Sequence, residues 1–351
     1  MATNGPGAQY TFCTTYDAAT RAAQVLSASS TIILHCQGRD LGLPDGELSI
    51  IALSDPAASE VFLLDVLLLC DKHNPALAPL FSLLERPDIT KLVWDGRTYL
   101  LEIADTYGVL LQGVIDLQLV EVSTRGKKSE KNLRAQHTMR YFKSVMKDIR
   151  NNPRLLDGIH RLLGLDSCAA NLRVINALGG KDPAVTNLHR TDGGSMWLHR
   201  PLPAMLLDYA AHDIWLISRV ADVLLPRVSV EQLREASARY MRVYPTREAK
   251  EAHVPLELSK FVPLDVVDAP LPGAPRYYCA RCERTLSLSC FGTRQTPTEE
   301  AEGDSDTPVN VCSTVLTGPA FQRWTVCHLC VLIACRNLEV QTGPWEWTPL
   351  L

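Results

Sequence analysis

The chain has 351 residues, a formal net charge of −4, and 46% hydrophobic and 21% charged residues. This balance suits a globular protein and excludes a collagen-like, wholly disordered or disulfide-dense miniature chain. The length allows two domains, or one domain with a small appendage. Along the chain, Ala-rich Tyr16 to Ser29 is predicted to be a helix. Thr31 to Cys36, Gly46 to Leu53 and Glu60 to Asp65 are predicted as strands joined by short polar turns, which suggests an antiparallel meander. Leu80 to Glu85 reads as a short helix ending near Pro87. Lys91 to Trp94 is a fourth strand, followed at once by a helix from about Thr98 to Tyr107. Val114-Ile115 is a fifth strand leading into another helix. Strand, helix, strand, helix adds parallel strands to the meander, giving a mixed sheet flanked by helices. His137 to Leu163 reads as helical with a break at Pro153, and Asn187 to Ser195 as a loop. Pro203 to Leu224 is a long helix with Leu206, Leu207, Ala210, Ile214 and Ile217 on its apolar face, and Val230 to Val243 is another. From Pro245 to Pro275 periodicity fades and prolines accumulate, as in a surface linker.

The best membrane candidate, Val61 to Leu69, is interrupted by Asp65 and falls short of the roughly 18 apolar residues a span needs. Met1 to Tyr10 has no basic stretch before an apolar run, so it does not read as a signal peptide. The expectation is a cytoplasmic or nuclear protein without membrane association. In that reducing setting its 11 cysteines argue for metal ligation or free thiols rather than disulfides.

Seven of the cysteines follow residue 278. Cys279-Ala-Arg-Cys282 and Cys327-His-Leu-Cys330 are two Cys-x-x-Cys turns. Each presents two thiolates to one ion, and together they make a tetrahedral four-cysteine zinc site of structural type. The competing readings are reduced structural cysteines or a redox pair. Cys290, Cys312 and Cys335 are candidates for a second ion. Charge is also unevenly spread. Lys127, Lys128, Lys131, Arg134, Arg140 and Lys143 belong to a basic block reaching Arg161, whereas Glu299 to Asp306 is acidic. The basic block is either a solvated helical face or a contact for nucleic-acid phosphates.

Three segments, in order, resemble the ribonuclease D-like 3′–5′ exonuclease domain of the DEDD superfamily, in particular its Egalitarian-like and fungal group. They are Leu34-His-Cys-Gln-Gly-Arg-Asp-Leu-Gly42; Lys91-Leu-Val-Trp-Asp-Gly-Arg-Thr-Tyr99 with Val114-Ile-Asp-Leu-Gln118; and Trp197-Leu-His-Arg-Pro-Leu202 with Tyr209-Ala-Ala-His-Asp213. The resemblance spans about residues 25 to 225 and implies a ribonuclease H-like α/β fold. It also implies a two-metal site for Mg²⁺ or Mn²⁺, held by four carboxylates, with a tyrosine orienting the attacking water. Here the first-motif Asp and Glu correspond to His35 and Gln37, and the second-motif Asp to Tyr99. Tyr209 and Asp213 remain. Hard divalent ions need oxygen ligands, chiefly carboxylates, so activity is not expected unless Asp40, Asp95 or Asp116 replaces the lost acids.

The expected organisation is a flexible N-terminus over 1–14, an exonuclease-like domain over 15–245, a Pro-rich linker over 246–276, and a zinc module over 277–351 with an acidic insertion. The expected function is a degenerate exonuclease-like domain, a pseudoenzyme that binds single-stranded RNA or acts as an adaptor. The alternatives are an active 3′–5′ exonuclease on RNA or DNA, and a protein-interaction scaffold, homodimeric or with another partner, that binds no nucleic acid.

Overall fold

The computed structural model describes residues 9–126, 142, 146–151, 153–175, 182–242, 260–295, 321–336 and 346–350. The chain divides into two compact units. The first comprises residues 1–131 and 161–260, and the second 132–160 and 261–351.

The first unit is built on a six-stranded mixed sheet. Its strands are β1 (Tyr10–Cys13), β2 (Thr31–Arg39), β3 (Glu47–Ser54), β4 (Val61–Asp65), β5 (Thr90–Val93) and β6 (Val114–Asp116), in the order β1-β4-β3-β2-β5-β6. β2, β3 and β4 form the antiparallel meander. β5 runs parallel to β2, and β6 parallel to β5. β1 adds a strand that the sequence reading missed. It pairs in parallel with β4, so residues 10–13 are an edge strand rather than part of a flexible terminus. Nothing local in Tyr-Thr-Phe-Cys demands a strand; the partner 51 residues downstream supplies the hydrogen bonds.

Alternation along β2 sorts its side chains between two faces. Ile32, Leu34 and Cys36 join one buried cluster with Ala19, Ala22 and Leu26 of α1 (Tyr16–Leu26) and Leu80, Leu83 and Leu84 of α2 (Ala78–Glu85). His35 and Gln37 point to the opposite face. Helices α3 (Arg97–Tyr107), α4 (Leu117–Thr124), α6 (Leu165–Asn171), α7 (Pro183–Asp192), α8 (Ala204–Leu224) and α9 (Val230–Met241) complete the unit. α7 occupies most of the stretch expected to be a loop. Asp182 caps it by accepting from Ala184 N at 2.7 Å, and Pro183 opens its first turn, a favoured helix start.

In the second unit, α5 (Met146–Asn151) is followed by a 3-10 turn at Pro153–Leu156 and by strand β7 (Ile159–Arg161), which pairs with β8 (Phe261–Pro263). β8 and α10 (Leu264–Val267) stand within the region expected to be a linker. Phe261 and Val262 are buried there, which fixes the segment in a core. β9 (Arg276–Tyr278) and β10 (Thr285–Ser287) form an antiparallel pair. β11 (Thr293–Gln295), β12 (Phe321–Trp324) and β13 (Trp347–Pro349) form an antiparallel sheet, and α11 (His328–Arg336) is almost wholly buried. Among the described residues, no helix is long and apolar enough to cross a membrane.

Candidate functional site

α8 packs across β2. Tyr209 and Asp213, one turn apart on that helix, share a face. Asp213 is fully buried and meets the odd-numbered face of β2. Gln37 Nε2 donates to Asp213 Oδ2 at 3.0 Å and lies 3.1 Å from His35 Nε2. His35 Nε2 is 3.2 Å from the same Asp213 oxygen. On its other side, His35 Nδ1 is 2.8 Å from the hydroxyl of Tyr99, at the start of α3, which can donate onward to the Trp94 carbonyl at 3.3 Å. Four of the five singled-out positions thus form one buried hydrogen-bonded cluster. Burial, followed by the nearby Cys36 thiol and the Asp95, Asp213 and Asp116 carboxyls, holds the Tyr99 phenol well above its usual range, so it supplies no negative charge.

Tyr209 belongs to an adjacent aromatic group. Its ring centroid lies 6.0 Å from that of His189 and 6.3 Å from that of Trp197. The Trp197 indole donates to His189 Nε2 at 3.1 Å. Nothing in the sequence marks His189, because the polar stretch Asn187 to Ser195 has the composition of a loop although α7 covers most of it. The segment after α7 presses on β2 just beyond Gln37, where the β2–β3 register shifts. A Cβ at Gly38 would sit 2.2 Å from the Glu47 carbonyl oxygen, and one at Gly194 (φ +90) 3.0 Å from the Gly38 oxygen, so this approach requires glycine. Arg200 fixes the same segment. Its Nε and Nη2 bond both oxygens of fully buried Asp65 at 2.6 and 2.7 Å, and its Nη1 bonds the Trp197 carbonyl at 2.7 Å.

Two of the three further acids have other partners. Asp116 ends β6 and accepts from Asp95 N (3.2 Å), Gly96 N (2.8 Å) and Gln118 N (2.9 Å), capping α4. Burial, with a contribution from the Asp95 charge, raises its carboxyl to about 7 against the pull of those amides. Asp95 grips Arg97 at 2.8 and 3.0 Å and accepts from Tyr240 at 3.0 Å. Burial alone would raise it, but Arg97 and these hydrogen bonds hold it below the usual carboxylate range. Asp40 is exposed beyond the end of β2. Among the described residues, only Cys279, Cys282, Cys327 and Cys330 bring three or more metal-ligating groups within 4.8 Å of one another. The β2–α8 cluster therefore offers one carboxylate, one imidazole, one amide and one phenol. That donor set fits poorly a pair of hard divalent cations.

The cysteine cluster fits a metal well. All four cysteines are buried. Cys279 and Cys330 Sγ are 3.8 Å apart, matching the edge of about 3.8 Å of a tetrahedron with Zn–S bonds of about 2.3 Å. The first turn is closed by Glu283 N bonding the Cys279 carbonyl and Cys279 N bonding the Arg284 carbonyl, each at 2.9 Å. Cys327 N donates to Cys279 Sγ at 3.2 Å, the kind of support a thiolate ligand receives from its surroundings. The four can hold one zinc ion. Cys290 instead bonds Asp265 Oδ1 at 3.4 Å, with burial pushing its thiol up to about 12. Cys335 is buried in α11 outside the cluster. Cys312 and the basic residues Lys127, Lys128, Lys131, Arg134, Arg140 and Lys143 lie outside the described residues.

No family model matches the sequence, and comparison with curated proteins finds no match. Solved structures share the fold. A structure of Trypanosoma brucei RNase D is 22% identical with a TM-score of 0.51, covering 68% of this chain and 73% of that one. A structure of the same enzyme in complex with RNA U12 is 23% identical with a TM-score of 0.51, covering 68% and 71%. Its GMP complex is 19% identical with a TM-score of 0.51, covering 79% and 82%.

Proposed function

We propose that the first unit is a catalytically degenerate 3′–5′ exonuclease-like domain, retained to bind single-stranded RNA rather than cleave it. The observation that carries this reading is the closure of the β2–α8 cluster on itself. His35, Gln37 and Tyr99 stand at the positions that the exonuclease pattern gives to carboxylates, and they hydrogen-bond to one another and to Asp213. Two divalent cations need several anionic oxygens between them. Asp213 is the one acid in the cluster, and Asp95 and Asp116 are occupied by Arg97, Tyr240 and backbone amides. RNA is the ligand favoured by the shared fold, since RNase D has been crystallised with RNA U12. The basic block supplies cations between the second and third motifs. Zinc in the second unit has a structural role in this reading.

The test is incubation of the purified full chain with end-labelled single-stranded RNA and DNA in Mg²⁺ or Mn²⁺. No shortening above background is expected. Processive shortening from the 3′ end that disappears in Asp213→Ala would overturn the degenerate reading in favour of an active exonuclease. Absence of RNA binding at low salt would favour a protein scaffold.

A further inference from the structure

We infer that the cysteine-centred unit carries its own phosphate-binding face, formed by Lys147, Arg150 and Arg154, and that this face takes single-stranded RNA. The inference rests on the RNA-binding reading above and locates part of that binding in the second unit.

Residues 132–160 lie in sequence between elements of the first unit, yet they belong to the second. Their inner side is anchored there. Phe142 is fully buried, with its ring centroid 5.1 Å from that of Phe261. Ile149, Leu156 and Ile159 are buried as well. Leu264 N donates to the Gly158 carbonyl at 3.3 Å, and His160 Nε2 lies 3.0 Å from Asp268 Oδ2. The 3-10 turn at Pro153–Leu156 packs on α11, the helix that carries Cys330, one of the four cysteines able to hold a metal. Gly158 lies so close to His328 that an added Cβ would be 2.4 Å from its Cδ2.

The outer side is cationic. Lys147 and Arg150 are exposed on α5, one turn apart and therefore neighbours on the helix surface. Buried Ile149 points away from Lys147. Arg154 is exposed on the following turn. Over residues 132–160 the sequence carries Arg134, Arg140, Lys143, Lys147, Arg150 and Arg154 against only Asp148 and Asp157. Exposed arginine offers a planar fork matched to phosphate oxygens, and a run of such cations favours a polyanion. Because the inner side is attached to α11, which carries Cys330, zinc bound by the cysteines would support the face from within. Zinc loss should detach the segment, since a unit of this size draws much of its folding free energy from the metal.

The experiment uses the full chain and a labelled oligouridylate, with anisotropy measured across a salt series. The combined variant K147E/R150E/R154E should weaken binding at least about tenfold. It should also flatten the log–log salt slope by roughly 2, three single-strand contacts at about 0.7 each. Zinc content and the thermal melt should stay unchanged, because exposed charges contribute little to folding. If the reversal variant fails to fold, the neutral K147Q/R150Q/R154Q variant gives the same readout with a smaller loss. Stripping the metal from the wild-type chain should lower affinity to a similar extent. RNA binding by the wild type that both variants leave unchanged, in affinity and slope, would overturn this inference alone. A wild type that binds no RNA would overturn it together with the RNA-binding reading. Equal binding of polyglutamate, a polyanion without phosphate or bases, would overturn the assignment to RNA.

Discussion

Asp116 is fully buried, and three backbone amides donate to its carboxylate. Those amides favour the charged form, while burial and the neighbouring Asp95 oppose it more strongly, leaving the carboxyl at about 7. In the unfolded chain an Asp titrates near 4. Between about pH 4 and pH 7 the folded state therefore holds a proton that the unfolded state has released, so stability falls as pH rises through this window and levels off above it. The difference is at most roughly 4 kcal/mol, at about 1.4 kcal/mol per pKa unit. Asp95 is held low by Arg97, so its contribution is lost only at more acidic pH. Urea midpoints should rise as the protein is taken from pH 8 to pH 5, and Asp116→Asn should remove most of that rise. At pH 5, where Asp116 is protonated, the variant should be less stable than the wild type, because the Asn NH2 cannot accept from the backbone amides. A wild-type midpoint flat across the window would contradict this account of the carboxylate.

The junction between the chain reversal at Gly158 and α11 shows how element packing constrains single residues. His328 starts α11 directly after Cys327, is buried, and has its ring centroid 5.3 Å from that of Trp324. Gly158 also packs on His328, and an added Cβ would lie only 2.4, 2.9 and 3.0 Å from His328 Cδ2, Cγ and Cβ. Gly158→Ala should destabilise the second unit by roughly 1–3 kcal/mol, as overpacking does. Thermal denaturation of the zinc-loaded protein measures this. In the background of His328→Ala the cost of the same substitution should shrink, since the two closest atoms, Cδ2 and Cγ, are gone and only Cβ at 3.0 Å remains. Equal costs in both backgrounds would place the strain elsewhere.

Two compact units in one chain imply two responses to metal removal. The first unit buries a large apolar core between α1, α2 and the sheet, enough to fold without a metal. The second unit is assembled from short strands, a buried nine-residue helix and four cysteines. Chelation should therefore abolish hydrogen-exchange protection in β9, β10, β12 and α11, and in the segment around α5, while β2 to β6 keep theirs. Simultaneous loss of protection in both units would mean that they fold as one cooperative body, not as two.

The sequence by itself determined the three-stranded meander, the two added parallel strands, the long helix bearing Tyr209 and Asp213, and the pair of Cys-x-x-Cys turns. Each of these is encoded locally, by alternation, by helical periodicity or by two ligands on one tight turn. The order of the motifs also placed His35, Gln37, Tyr99 and Asp213 as candidates for a single site. Only the tertiary structure decided how those side chains bond, because a hydrogen bond between residues 37 and 213 depends on α8 crossing β2. It decided that Asp95 bonds Arg97 and Tyr240 and that Asp116 accepts from backbone amides. β1 was illegible because an edge strand of four residues is stabilised by its partner and not by its own pattern. The segment after Pro245 has no legible core pattern for a related reason. Prolines suppress periodicity, yet Phe261 and Val262 are buried by contacts distant in sequence. The same non-local packing assigns residues 132–160 to the cysteine-centred unit, since no pattern within a segment states which core its apolar face will join.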